Sequence, residues 1–172
     1  ECDHTGSTAQ PTCTDSAVCT VCGGTIPEKG HALIWQSENG EYWQKCSNCD
    51  FETEKKPIPA LTLNAPDKVC RTQDCTFTFN LPNGCKLIIT GYEFEKIGGD
   101  LSATLENGKY TVELGSSSYP AEENSFKVTV SAETADGFAI KAEKSVMILN
   151  DHTGGTATCT AKAVCEVCKA EY

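Results

Sequence analysis

From about residue 60 to residue 149 apolar and polar side chains alternate along the chain, the period of a strand with one buried face. Phe77, Phe79 and Leu81 alternate with Thr76, Thr78 and Asn80, and Leu87 and Ile89 with Lys86, Ile88 and Thr90. Leu101, Ala103 and Leu105 run into Asn107-Gly108 and continue as Tyr110, Val112 and Leu114. Phe126, Val128, Val130 and Ala132 run into Asp136-Gly137 and continue as Phe138, Ile140, Ala142, Val146 and Ile148. Asn-Gly and Asp-Gly accept the positive φ of tight hairpin turns, so 83–84, 107–108 and 136–137 predict three strand pairs. Residues 61–64 offer an opening strand. About seven short strands with turn signals every 8–12 residues predict an immunoglobulin-like β-sandwich. No helix of ten or more residues is expected.

The first 56 residues follow a different pattern. Their large apolar side chains are few: Val18, Val21, Ile26, Leu33, Ile34, Trp35, Tyr42, Trp43 and Phe51. So short a segment buries too little to offset chain entropy unless something crosslinks it. Residues 32–37 and 41–46 flank Glu38-Asn39-Gly40 as a hairpin, and the hairpin runs into Cys46-Ser47-Asn48-Cys49. A hairpin feeding a Cys-x-x-Cys knuckle is the build of a zinc ribbon. Residues 52–59, with Glu-Lys-Lys-Pro-Ile-Pro, read as a charged, proline-punctuated linker.

The crosslinking chemistry is written twice. Asp3-His4-Thr5-Gly6, Cys13-Thr14, Ala17-Val18-Cys19 and Val21-Cys22 return as Asp151-His152-Thr153-Gly154, Cys159-Thr160, Ala163-Val164-Cys165 and Val167-Cys168. Each copy carries one imidazole and three thiols, the ligand complement of a closed tetrahedral zinc site. The expected sites are therefore His4, Cys13, Cys19 and Cys22, and His152, Cys159, Cys165 and Cys168. A further site would use His31, Cys46 and Cys49 with a fourth ligand from Cys2 or Cys70. A single ribbon site pooling Cys19, Cys22, Cys46 and Cys49 is the competing arrangement; it leaves His4 and Cys13 without a role.

Twelve cysteines could instead form six disulfides in an oxidising setting. A disulfide framework gives no reason for a histidine to recur in register, which favours metal. A thioredoxin-like use of Cys-x-x-Cys needs a βαβ context that the pattern lacks. Outside the repeated set, Cys70–Cys75 closes a short loop and is the bridge to expect if one forms. Cys75 and Cys85 otherwise read as small buried apolar residues.

Net charge narrows the functions. Twenty-four acidic against 14 basic residues give −10, and Arg71 is the single arginine. Nucleic acid is bound through clustered Lys and Arg, so that partner is not expected. No run approaches the roughly 18 apolar residues of a membrane span, so no membrane insertion is expected in this segment. No catalytic constellation emerges: no His lies between residues 32 and 151, and a thiolate held by a cation is not available as a nucleophile. Trp35, Tyr42 and Trp43 could stack a sugar or, more in keeping with so small a module, cover the hairpin and the metal site.

The repeated motif resembles that of surface proteins of gut Firmicutes. Their Cys/His-rich repeats of the form His-Thr-Gly-Gly-Thr-Ala-Thr-Cys…Ala-x-Cys-x-x-Cys alternate with immunoglobulin-like or other β-rich modules. Residues 152–168 carry that motif nearly unchanged, and residues 4–22 carry a variant with two extra residues between the His and the first Cys, in the Ala9-Gln10-Pro11 stretch. Lys169 stands where such repeats often have Gly. The resemblance implies an extracellular or cell-surface location, zinc, and a structural or adhesive, non-enzymatic role toward a host or bacterial surface protein or glycan. The expected organisation is a Cys/His-rich module at 1–56, the sandwich at 57–149 and the start of a second module at 150–172. The alternative function is a carbohydrate-binding or other accessory module of a larger secreted enzyme.

Overall fold

The computed structural model describes residues 3–95 and 97–172. Two compact units divide the chain, Glu1–Ile58 and Pro59–Tyr172. Residues 150–172, expected to stand as a separate module, share a unit with the sandwich.

The first unit is organised by its hairpin. Strands β1 (Ala17–Val18) and β2 (Thr25–Ile26) form a minimal ladder. Strands β3 (Leu33–Glu38) and β4 (Glu41–Cys46) form the expected hairpin, with Glu38, expected in the turn, paired opposite Glu41 instead. Asn39 and Gly40 close the turn at φ 52° and 80°, the left-handed conformation that their side chains tolerate. The expected linker instead contributes β5 (Lys56–Pro57), which pairs with Tyr42 and Glu41. Pro57 is accommodated because β5 is an edge strand, where a missing N–H breaks no ladder.

The second unit is a β-sandwich. One sheet has the order β10-β9-β13-β14-β7 and the other β11-β12-β8-β6. In chain order these are β6 (Thr62–Asn64), β7 (Lys68–Cys70), β8 (Cys75–Asn80), β9 (Lys86–Glu93), β10 (Gly98–Asp100), β11 (Ala103–Glu106), β12 (Lys109–Leu114), β13 (Ser125–Glu133) and β14 (Ala139–Leu149). The opening segment switches sheets: β6 runs antiparallel to β8 in one, and β7 runs parallel to β14 in the other. That split first strand and the Greek-key order give the immunoglobulin-like topology. The hairpins at Asn107-Gly108 and Asp136-Gly137 form as predicted. Asn83-Gly84 does not make one, because β8 and β9 lie in opposite sheets and the turn carries the chain between them.

The core follows the alternation. Phe77 and Phe79 of β8, Val112 and Leu114 of β12, Phe126, Val128 and Val130 of β13, and Val146 and Ile148 of β14 interdigitate between the sheets. Strand β9 departs from it. Ser131 pairs with Ile89 but Ala132 pairs with Leu87, so Ile88 is an extra residue at a bulge. The bulge inverts the phase beyond it: Thr90 is buried, donating its hydroxyl to the Leu101 carbonyl, and Ile88 faces out. Lys144 occupies an inward-phase position on β14 and spans to the sheet-switching segment. Its Nζ donates to the Ala65 carbonyl at 2.6 Å and pairs with Asp67 at 2.9 Å. The one described helical turn is a 3₁₀ segment, Ser116–Ser118. Among the described residues no helix is long and apolar enough to cross a membrane.

Candidate metal centres

Three Cys-x-x-Cys knuckles share one backbone device. The amide of the first cysteine donates to the carbonyl five residues on: Cys19 to Gly24 at 2.8 Å, Cys46 to Phe51 at 2.9 Å, Cys165 to Ala170 at 2.8 Å. The loop so closed turns both sulfurs to one side. In each knuckle a histidine Nδ1 approaches the second sulfur: His4 to Cys22 at 3.5 Å, His31 to Cys49 at 3.3 Å, His152 to Cys168 at 3.3 Å. His31 stacks on Phe51 and His152 on Tyr172, which orients both rings.

The fourth donors are not those expected. Cys13 joins His31, Cys46 and Cys49, its Sγ 3.7 Å from that of Cys46. It does not join His4. Cys70 joins His152, Cys165 and Cys168, its Sγ 3.6 Å from that of Cys165. His4, Cys19 and Cys22 form the remaining group, and Cys2 lies outside the described residues. Within each group the donor atoms all lie within 4.8 Å of one another, so each could hold a metal ion.

Two expectations are thereby corrected. The second site takes Cys13 as its fourth donor, because the strand pair β1–β2 and the bond from the Lys29 amide to the Thr12 carbonyl fold Cys13 against the β3–β4 hairpin. Cys159, the counterpart of Cys13 in the second copy, is exposed and belongs to no described group. Its place in the expected set is filled by Cys70, which parallel pairing of β7 with β14 brings level with Leu149, next to the start of the second copy. A signal for the regrouping was present. His4 precedes Cys22 by 18 residues and His31 precedes Cys49 by 18, so His…Cys-x-x-Cys itself repeats in tandem within the first unit, with Cys13 as an extra thiol inside the first repeat.

The thiols fall into two electrostatic kinds. Amide hydrogen bonds within the knuckle hold Cys19 down to about 6, Cys46 to about 6 and Cys165 to about 5. The remote donors have no such amides. Burial pushes Cys13 up to about 11 and Cys70 up to about 12. A cation among the donors would reverse the second effect, since it favours the thiolate that an apolar surrounding disfavours. No disulfide joins the described cysteines. Cys70 and Cys75, the pair to expect if a bridge formed, are not joined: Cys70 stands among the donors His152, Cys165 and Cys168, while Cys75 is buried at the start of β8 in the sandwich core.

Glycines give the sites room. A Cβ on Gly24 would stand 3.0 Å from His4 Cε1, and one on Gly155, at φ 76°, would collide with the backbone of Val164. Lys169 takes the left-handed conformation, φ 62°, that Gly23 takes at φ 71° in the first copy. Trp43 is buried with the Lys55 ammonium 4.1 Å over its ring, and Trp35 tilts against Tyr42, so this aromatic group covers the hairpin.

No protein-family model matches the chain, and no curated protein matches it. Among solved structures it is similar to murine CRIg, at 12% identity and a TM-score of 0.40, over 54% of this chain and 98% of that one. It is also similar to a membrane-anchored protein from Corynebacterium diphtheriae, at 14% identity and a TM-score of 0.42, over 80% of this chain and 36% of that one.

Proposed function

We propose that this chain is a non-catalytic structural segment of an extracellular bacterial repeat protein, in which zinc crosslinks the Cys/His-rich parts and an immunoglobulin-like sandwich spaces them. The observation that carries the reading is the spacing of the donors. A tetrahedral ion with bonds of about 2.3 Å to sulfur and 2.0–2.1 Å to nitrogen sets sulfur–sulfur edges near 3.8 Å and sulfur–nitrogen edges near 3.5 Å. The observed separations are 3.6 and 3.7 Å between sulfurs and 3.3 to 3.5 Å between sulfur and imidazole. Disulfide sulfurs would stand about 2.0 Å apart. Donor sets rich in thiolate with one imidazole suit zinc, and the two four-donor groups would leave no open position for catalysis.

The surface location and the structural role rest on the resemblance of residues 4–22 and 152–168 to bacterial surface repeats. The acidic surface suits a soluble, extended array. Elemental analysis of the purified chain tests the metal: the expected result is zinc close to three ions per chain. Non-reducing mass spectrometry that finds the knuckle sulfurs covalently paired, with no bound metal, would replace the reading by a disulfide framework.

A further inference from the structure

We infer that the Cys70–His152–Cys165–Cys168 site is a mechanical clasp, a metal crosslink that takes strands β8 to β14 out of the path of tension along the chain. The inference rests on the reading that this cluster binds zinc. Its basis is which residues the cluster joins. Cys70 ends β7, the last residue before the body of the sandwich, and the other three donors follow β14, the strand that ends it.

Without the metal, tension enters through β6 and then β7 and leaves from β14. These strands are parallel and share three residue pairs, Lys68 with Met147, Val69 with Ile148 and Cys70 with Leu149. Pulling β7 toward its start and β14 toward its end shears those pairs, and the sandwich between them must then resist. With the metal, tension passes from the Cys70 sulfur through the ion to Cys165 and Cys168. Residues 71–151 become a loop whose two ends meet at one ion, and β6, which lies before Cys70 and pairs with β8, is still pulled against it.

The junction is braced for this. Arg71, beside Cys70, donates to the Asn150 side chain at 2.6 Å and to the carbonyls of Pro120 and Glu123 at 2.7 and 2.5 Å. Its amide donates to the Leu149 carbonyl at 2.9 Å. The single arginine thus ties both chain passages to the 3₁₀-side loop at the level where the clasp closes. Of the three sulfurs in the path, Cys70 and Cys165 are buried and Cys168 is half-buried.

The test is single-molecule stretching of the full chain held at both ends, with zinc present, alongside metal analysis of the same preparation. Release of the sandwich adds roughly 80 residues of free chain, a lengthening of ~280 Å at about 3.5 Å per residue. In zinc-loaded wild type that step is expected to be missing over the range of forces where it occurs in Cys70→Ser with zinc, and in wild type after chelation. Cys159→Ser should behave as wild type. Wild type carrying metal at all three clusters, yet lengthening by this step at the same force as Cys70→Ser, would overturn the clasp while leaving the zinc reading intact. A chain without bound metal would overturn both. If Cys70→Ser does not fold, chelated wild type and His152→Ala supply the same comparison.

Discussion

The sulfurs of Cys70 and Cys165 lie 3.6 Å apart although 95 residues separate them. One ends β7, which pairs in parallel with the last strand of the sandwich, and the other lies in a knuckle beyond that strand, so a metal here closes strands β8 to β14 into a loop. This relationship separates two cysteines that look alike in sequence terms. Cys70→Ser should lose one zinc per chain, and Cys159→Ser should lose none. A crosslink closing a loop of roughly 80 residues stabilises by about 4–5 kcal/mol on the chain-entropy relation. Urea denaturation in zinc should show a loss of up to that size in Cys70→Ser alone, and equal loss in both variants would refute the assignment.

Cys13→Ser should empty the hairpin site while leaving His4, Cys19 and Cys22 able to hold their ion. Cobalt substitution reads this directly, because thiolate-to-cobalt absorption scales with the number of sulfurs bound. Loss of the His4 site in Cys13→Ser, with the hairpin site intact, would restore the grouping expected from sequence.

Metal uptake should release protons at neutral pH. In the metal-free protein Cys13 and Cys70 are held protonated, with pKa values of about 11 and 12, and a bound cation requires their thiolates. The knuckle thiolates work in the opposite sense. Their pKa values lie below the ordinary thiol range, at about 6 for Cys19 and Cys46 and about 5 for Cys165. The stability they contribute is present above that ordinary range and is lost as pH falls through 6 and 5. Zinc titrations in buffers of different ionisation enthalpy measure the proton release. A chromophoric indicator should show zinc leaving as pH falls through the same interval, and a flat profile down to pH 4 would contradict the assignment.

Lys169→Gly should stabilise the third site. Lys169 holds φ 62° where Gly23 serves the first copy, and a side chain in that conformation costs about 1–2 kcal/mol, part of which the greater freedom of unfolded glycine offsets. A net gain of about 0.5–1 kcal/mol is expected, read as a higher denaturation midpoint with zinc content unchanged. A lower midpoint would mean that the Lys169 ammonium, which donates to the Glu166 carbonyl at 2.7 Å, matters more than the backbone.

Phe77→Ala should cost about 3–5 kcal/mol, since the ring is fully buried between the sheets and leaves a cavity. Ile88→Ala, at the outward-facing bulge, should cost under about 1 kcal/mol. Denaturant midpoints compare the two. A large loss at Ile88 would contradict the bulge, because unbroken alternation running back from the buried Thr90 would turn Ile88 into the core.

Local geometry was legible in the residue pattern: the strand period, the turns at Asn39-Gly40, Asn107-Gly108 and Asp136-Gly137, and three Cys-x-x-Cys knuckles each with a histidine. These depend on neighbours within a few residues, where pattern and φ preference decide. Tertiary structure alone decided which thiol completes each knuckle, that Asn83-Gly84 crosses between sheets, and that a bulge at Ile88 turns Thr90 inward. Loop-closure entropy grows only as the logarithm of loop length, so a donor some 80 residues away competes almost equally with one nearby. What selects Cys70 over Cys159 is the parallel register of β7 on β14, set by a core assembled from both sheets and invisible in the spacing of the cysteines.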